Sequence, residues 1–81
     1  DLPSDDSETE SGFTGPARIS SAAASATALA EVPGGIVTDL EREVEYGVDA
    51  YEVSVEAPDG RALEVSVDVQ TGAVVHIGED E

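Results

Sequence analysis

The chain has 81 residues, with 19 Asp and Glu against 3 Arg and no Lys, a formal net charge of −16. That length allows one small domain and excludes two. The charge excludes nucleic acid as a partner, since phosphate binding needs cationic side chains, and disfavours anionic membrane surfaces.

One Phe, two Tyr, no Trp and no Met leave burial to Val, Leu, Ile and Ala. Such material suits a thin packing of one helix on one sheet and supplies little wall for a deep ligand pocket. With no Cys there is no disulfide framework, thiolate metal site or thiol nucleophile. No apolar run approaches the length of a membrane span, so direct membrane insertion is not expected. Asp1 is not Met, so the chain is expected to be processed or trimmed, with any targeting signal or lipid anchor upstream.

The first segment, Asp1 to Pro16, carries five acids, two prolines, two glycines and a single aromatic, Phe13. It cannot bury enough apolar surface to order itself, so residues 1–17 are expected to form a disordered acidic leader or tether ahead of a domain at 18–81. From Ile19 the pattern becomes helical. Ser20 is a good N-cap, and Pro33-Gly34-Gly35 stops the run, which predicts a helix from about Ser21 to Val32. At helical spacing Ser21, Ser25, Ala28, Leu29 and Val32 form one stripe of mostly small residues, able to approach a sheet closely. Ile19, just before the cap, is placed to pack on Ala24 as a hydrophobic staple.

After Gly35 the period changes to two and stays there. The first run puts Ile36, Thr38, Leu40, Arg42, Val44 and Tyr46 on one face, and Asp39, Glu41, Glu43 and Glu45 on the other. Tyr51 to Glu56 and Leu63 to Val69 alternate without exception, whereas Val74 to Ile77 is too short and too apolar for its faces to be assigned. Turn residues fall between the runs at Tyr46-Gly47-Val48-Asp49, Pro58-Asp59-Gly60 and Gln70-Thr71-Gly72. The pattern predicts an α+β domain, one N-terminal helix packed on a four-stranded antiparallel β-meander.

No reactive constellation emerges. His76 is the single histidine, and no Ser or Cys nucleophile can be argued to stand beside it. Alternating acids on a solvent face explain the many carboxylate pairs without glycosidase chemistry. Asp59-Gly60 lacks the flanking acids of a calcium loop, and Asp5, Asp6, Glu8 and Glu10 in the leader would attract cations only diffusely. No catalytic residue, cofactor or metal ligand is expected. The unusual surface is the polar sheet face, where Asp39, Glu41, Glu43, Glu45, Glu52, Glu56, Glu64 and Asp68 gather with Ser54 and Ser66 between them. It suits a basic partner, or equally serves solubility in a salty medium.

Four blocks carry a further signal. Ile19-Ser20 with the Ala-rich helix ending Ala28-Leu29-Ala30-Glu31-Val32-Pro33-Gly34-Gly35, then Tyr51-Glu52-Val53-Ser54-Val55, then Asp59-Gly60-Arg61, and finally Val67-Asp68-Val69-Gln70-Thr71-Gly72-Ala73-Val74 resemble a PepSY domain, the last being similar to that family's V-D-x-x-T-G-x-V signature. The helix departs from the family's usual one at Ser25 and Thr27, where apolar residues are common. The resemblance implies a non-catalytic, extracytoplasmic bacterial domain, secreted or anchored at the cell surface. PepSY domains occur in propeptides of thermolysin-like metalloproteases and in many secreted or lipid-anchored proteins, and are proposed to restrain peptidases. A domain standing alone is expected to belong with the secreted class, as a monomer. The function expected is binding, extending to inhibition of a secreted peptidase or capture of another basic protein. The alternative is an acidic envelope-associated module with no peptidase target.

Overall fold

The computed structural model describes residues 16–45 and 47–79, without the side chain of Glu45. Expectations for the leader through residue 15, for Phe13 and Tyr46, and for the Glu45 side chain lie outside the described residues.

Helix α1 spans Ser21–Glu31. Ser20 is extended, and its Oγ accepts the Ala23 amide at 3.0 Å, a cap worth about 1 kcal/mol. Val32 already leaves the helical region at φ −130° and ψ 78°, so the helix ends one residue before the expected boundary. Its first turn holds no acid and its last turn no base. The macrodipole is uncompensated by charge, and eleven residues are marginal alone, so docking must hold the helix. The docked line is Ala24, Ala28 and Val32, with Ser25 and Leu29 half-buried beside it. Ser21, expected in the stripe, is exposed, and Ala24 takes its place. The two fully buried alanines bring the backbone close to the sheet. A Cβ on Gly35 would stand 2.6 Å from Val55 Cγ1 and 3.0 Å from Val32 Cγ1, so glycine alone lets the chain pass between helix end and sheet.

Strands β1 (Ile36–Glu45), β2 (Val48–Glu56), β3 (Ala62–Asp68) and β4 (Val74–Glu79) form one antiparallel sheet in the order β1-β2-β3-β4. The expected one-helix, four-strand meander is the observed architecture. The first hairpin is tighter than the turn residues suggested. Glu45 pairs with Val48, so only two residues connect the strands, and Gly47 at φ +77° supplies the left-handed position that such a turn requires. At the second, the Asp59 carboxylate accepts the Arg61 amide at 3.1 Å, and Ala57 N–H donates to the Arg61 carbonyl at 2.8 Å.

Two irregularities decide which side chains face the helix. In β1 the register shifts between Val37 and Asp39. Thr38 is the inserted residue, its hydroxyl donating to the Ser54 carbonyl at 3.3 Å. Strict alternation placed Ile36 on the apolar face; the bulge corrects this. Val37 joins the core, opposite Val55, while Ile36 stands opposite Glu56 and is 64% exposed. In β4 a second shift skips Val75, so Val74 pairs with Val67 and His76 with Ser66.

The helix lies over β2 with β1 and β3 on either side. Beneath it Val53, Val55, Val65 and Val67 are fully buried, with Ala57 nearly so, and Val37, Leu40, Tyr51, Leu63 and Val74 close the margins. Each buried valine contributes about 1.5–2 kcal/mol relative to exposure. Arg42, which blemished this face in the sequence, is explained by Asp49: Nε donates to Oδ1 at 2.9 Å and Nη2 to Oδ2 at 2.6 Å, with the Asp49 side chain 3% exposed. This bidentate pair covers the end of the sheet beyond the helix.

The last turn ties the helix entry down. Asp68 Oδ1 accepts the amides of Gln70 and Thr71 at 2.7 and 3.3 Å, and Thr71 Oγ1 accepts that of Ala73 at 3.1 Å. The turn thereby presents the Val69 carbonyl to the amides of Arg18 and Ile19, at 2.8 and 3.1 Å. Tyr51 adds a hydrogen bond from its hydroxyl to the Ile19 carbonyl at 3.1 Å.

Candidate binding face

One sheet face is roofed by α1; on the opposite face the register sets side chains in three neighbouring rows. These run Asp39–Ser54–Glu64–Gly78, Glu41–Glu52–Ser66–His76 and Glu43–Ala50–Asp68, with Ile36–Glu56–Ala62 at one end. Of the eight acids expected to share this face, Asp39, Glu41, Glu43, Glu52, Glu56 and Glu64 do so side by side. Asp68 is on it but serves the last turn, and is half-buried there. The Glu45 side chain lies outside the described residues.

The acids are not evenly spread. Carboxylate oxygens of Glu41, Glu43 and Glu52 come within 4.8 Å of one another. Glu43, hydrogen-bonded to the Glu41 carboxyl, and then the negative charges of Asp39 and Glu43 raise the Glu41 pKa above its ordinary value of 4.5. Glu41 is exposed, and water screens much of that repulsion. The arginines are engaged elsewhere: Arg18 donates to Gln70, Arg42 to Asp49, and Arg61 to Asp59 and Glu79. The last two contacts are exposed, at 3.1 and 3.0 Å, and ion pairs of this kind are worth about 0–1 kcal/mol.

Two members of the middle row were not legible as neighbours in the sequence. Ser66 was expected to lie open between acids, yet it is fully buried, and its Oγ has no hydrogen-bond partner. His76, to which the sequence assigns no catalytic partner, is set by the β4 bulge, half-buried, directly opposite Ser66. The alternation in β3 did give the Ser66 face, but no signal gave its burial. For His76 the sequence held no signal, since alternation cannot reveal the insertion at Val75.

The geometry offers a flat, charged platform with carboxylates able to take a cationic side chain or a hard metal ion. The turn chemistry at Asp59-Gly60-Arg61 and at Asp68 to Ala73 is structural. The family model for the peptidase propeptide and YPEB domain matches residues 18–76, the span from the Val69-anchored helix entry to the middle row's last residue. The chain belongs to the PepSY family. A solved structure agrees: the NMR structure of the signal-sequence-deleted Rv0603 protein from Mycobacterium tuberculosis is similar at 34% identity and a TM-score of 0.59, over 91% of this chain and 86% of that one. No curated protein matches. PepSY domains are in general propeptide-like or regulatory and non-catalytic, and occur in extracytoplasmic proteins. No helix among the described residues of this PepSY domain is long and apolar enough to cross a membrane.

Proposed function

We propose that this PepSY domain is a non-catalytic, extracytoplasmic binding module whose open acidic face docks a basic partner, a secreted peptidase that it restrains. The observation that carries the reading is the contrast of faces: α1 covers one, while Asp39, Glu41, Glu43, Glu52, Glu56 and Glu64 stand together on the other. Complementary charge steers such encounters and fixes their register. The long outer strand β1, bordering this face, offers backbone groups to an extended segment of the same partner. Extracytoplasmic placement is supported by the family and by the signal sequence removed from the similar Rv0603 protein.

The test is capture from native secreted fluid on the immobilised domain, with peptidase activity of the captured fraction measured with and without added domain. Binding of a basic peptidase, its inhibition, and loss of both with Glu43→Lys plus Glu56→Lys are expected. Inhibition that survives the double reversal would defeat the acidic-face reading.

A second reading is an acidic envelope-associated module with no peptidase target, favoured by the acids of the leader, which continue the charge beyond the sheet. Under it the double reversal leaves envelope association unchanged.

A further inference from the structure

Among the described residues Ile36, Val44 and Ile77 are the large apolar side chains open to water, with 64%, 44% and 44% of their surfaces exposed. Val44 and Ile77 lie on the helix side of the sheet, at its margins, where plain alternation puts them. Ile36 is the exception. It stands on the acidic face, directly opposite Glu56. The register shift at Thr38 sends it there and admits the smaller Val37 to the core instead, opposite Val55. The Thr38 hydroxyl, donating to the Ser54 carbonyl, holds that bulge in place. Bulges re-aim side chains, and this one trades the burial of an isoleucine for that of a valine. The exchange gains the core nothing and gives the acidic face an apolar side chain.

We infer that Ile36 is the apolar anchor of the docking face, and that it selects a basic partner segment of the form cation–x–apolar–x–cation. The surroundings set that form. Glu56 faces Ile36 across the strand pair, Asp39 follows it along β1 on the same face, and exposed Ala62 lies beyond Glu56, with Glu64 in the next row. An apolar side chain rimmed by carboxylates matches an apolar residue flanked by lysine or arginine. In an extended segment alternate residues share a face, so this spacing presents all three to the sheet together. A second copy of the chain is a poor source of such a segment, since it has no Lys and its 3 Arg are far apart in sequence. The anchor deepens the docking reading and rests on it. The acids supply attraction and encounter rate; Ile36 supplies discrimination among basic partners, because apolar contact at a rimmed centre excludes water.

Backbone amide NMR titration of the whole chain with two peptides tests it: acetyl-Lys-Thr-Leu-Thr-Lys-amide, and the same peptide with Ser in place of Leu. Both should move amides of the open face. The leucine peptide should bind at least about 5-fold tighter, with added shifts at residues 36, 56 and 62. Ile36→Ser should remove that advantage while leaving the serine peptide within about 2-fold, and Ile36→Leu should retain it. Val44→Ser, which takes an exposed apolar side chain from the other face, should change either affinity by no more than about 2-fold. Since Ile36 is already mostly in water, Ile36→Ser should keep the parent spectrum away from the substitution. Equal affinity of the parent for the two peptides, with shifts on the acidic face, would overturn the anchor and leave the docking reading standing. A loss on Ile36→Ser shared equally by both peptides would overturn it too. No shift of open-face amides by either peptide would bring down the docking reading and the anchor together.

Discussion

The two faces of the sheet are built by the same alternation and held by opposite physics. Toward the helix, valines from β2 and β3 meet Ala24 and Ala28 at close range, and stability comes from water excluded. On the other side, six acids from three strands stand together, and the same closeness works against the fold. A period of two decides which residues share a face, but residue type decides whether sharing stabilises.

The contrast breaks most sharply at Arg42. On the covered side a charge is tolerated because Asp49 meets it bidentately. Arg42→Met should destabilise by about 3 kcal/mol, by removing the guanidinium from a nearly buried carboxylate. Urea unfolding measures this, and a loss below 1 kcal/mol would show the pair to be dispensable. Next is the seam between the faces. Gly35→Ala should cost about 2 kcal/mol, because the new Cβ would meet Val55 Cγ1 at 2.6 Å. A Tm within 2 °C of the parent would mean that the helix shifts freely; 1 kcal/mol in a domain this size is worth about 4–8 °C.

On the open face the effects are smaller and of opposite sign. Salt should raise Tm between low and moderate ionic strength, as the screening length falls toward about 8 Å. A flat or falling Tm would contradict repulsion among the acids. Acid sharpens the point. The Glu41 pKa is raised in the fold, so protonation favours the folded state. Its contribution is full below 4.5 and is lost as pH rises through the raised value, hence mild acidification from neutral should stabilise. Asp59 works the other way. The Arg61 amide, together with the Arg61 charge, holds its pKa below 3.8, so its contribution is present above 3.8 and falls away under stronger acid. Glu41→Gln should flatten the first slope and leave the second; an unchanged slope above pH 4.5 would remove Glu41 from the account.

Much of the covered side could be read from the chain. Ser20 and Pro33-Gly34-Gly35 bracketed the helix, and the glycine turns separated the strands, because caps and turns are local and each has its own residue chemistry. The signature block was legible for the same reason, since Asp68 and Thr71 bond within their own turn. What escaped depends on insertions that alternation cannot reveal. The bulge at Thr38 moved Ile36 across the sheet, and the skipped Val75 brought His76 beside Ser66. Alternation gave an acidic face of eight residues, of which the pairing sets Asp39, Glu41, Glu43, Glu52, Glu56 and Glu64 side by side. Its clustering about Glu41, Glu43 and Glu52 required the pairing of β1 with β2, which depends on the length of the turn at Gly47 and so on tertiary detail.

The Val69 carbonyl, receiving both Arg18 and Ile19, also orders events in time. The two ends of that contact are separated by some fifty residues, most of the described chain. Local hairpins close before such distant partners find each other. During synthesis the helix therefore leaves the ribosome first yet is anchored last, after the β3–β4 turn has formed and can offer its carbonyl. Until then its alanine stripe has nothing to rest on, and an eleven-residue segment of this kind samples the coil. Pulse-labelled hydrogen exchange during refolding should find β2 and β3 amides protected before those of Ala24 and Ala28, and simultaneous protection would show that the helix docks on a sheet still lacking its final turn.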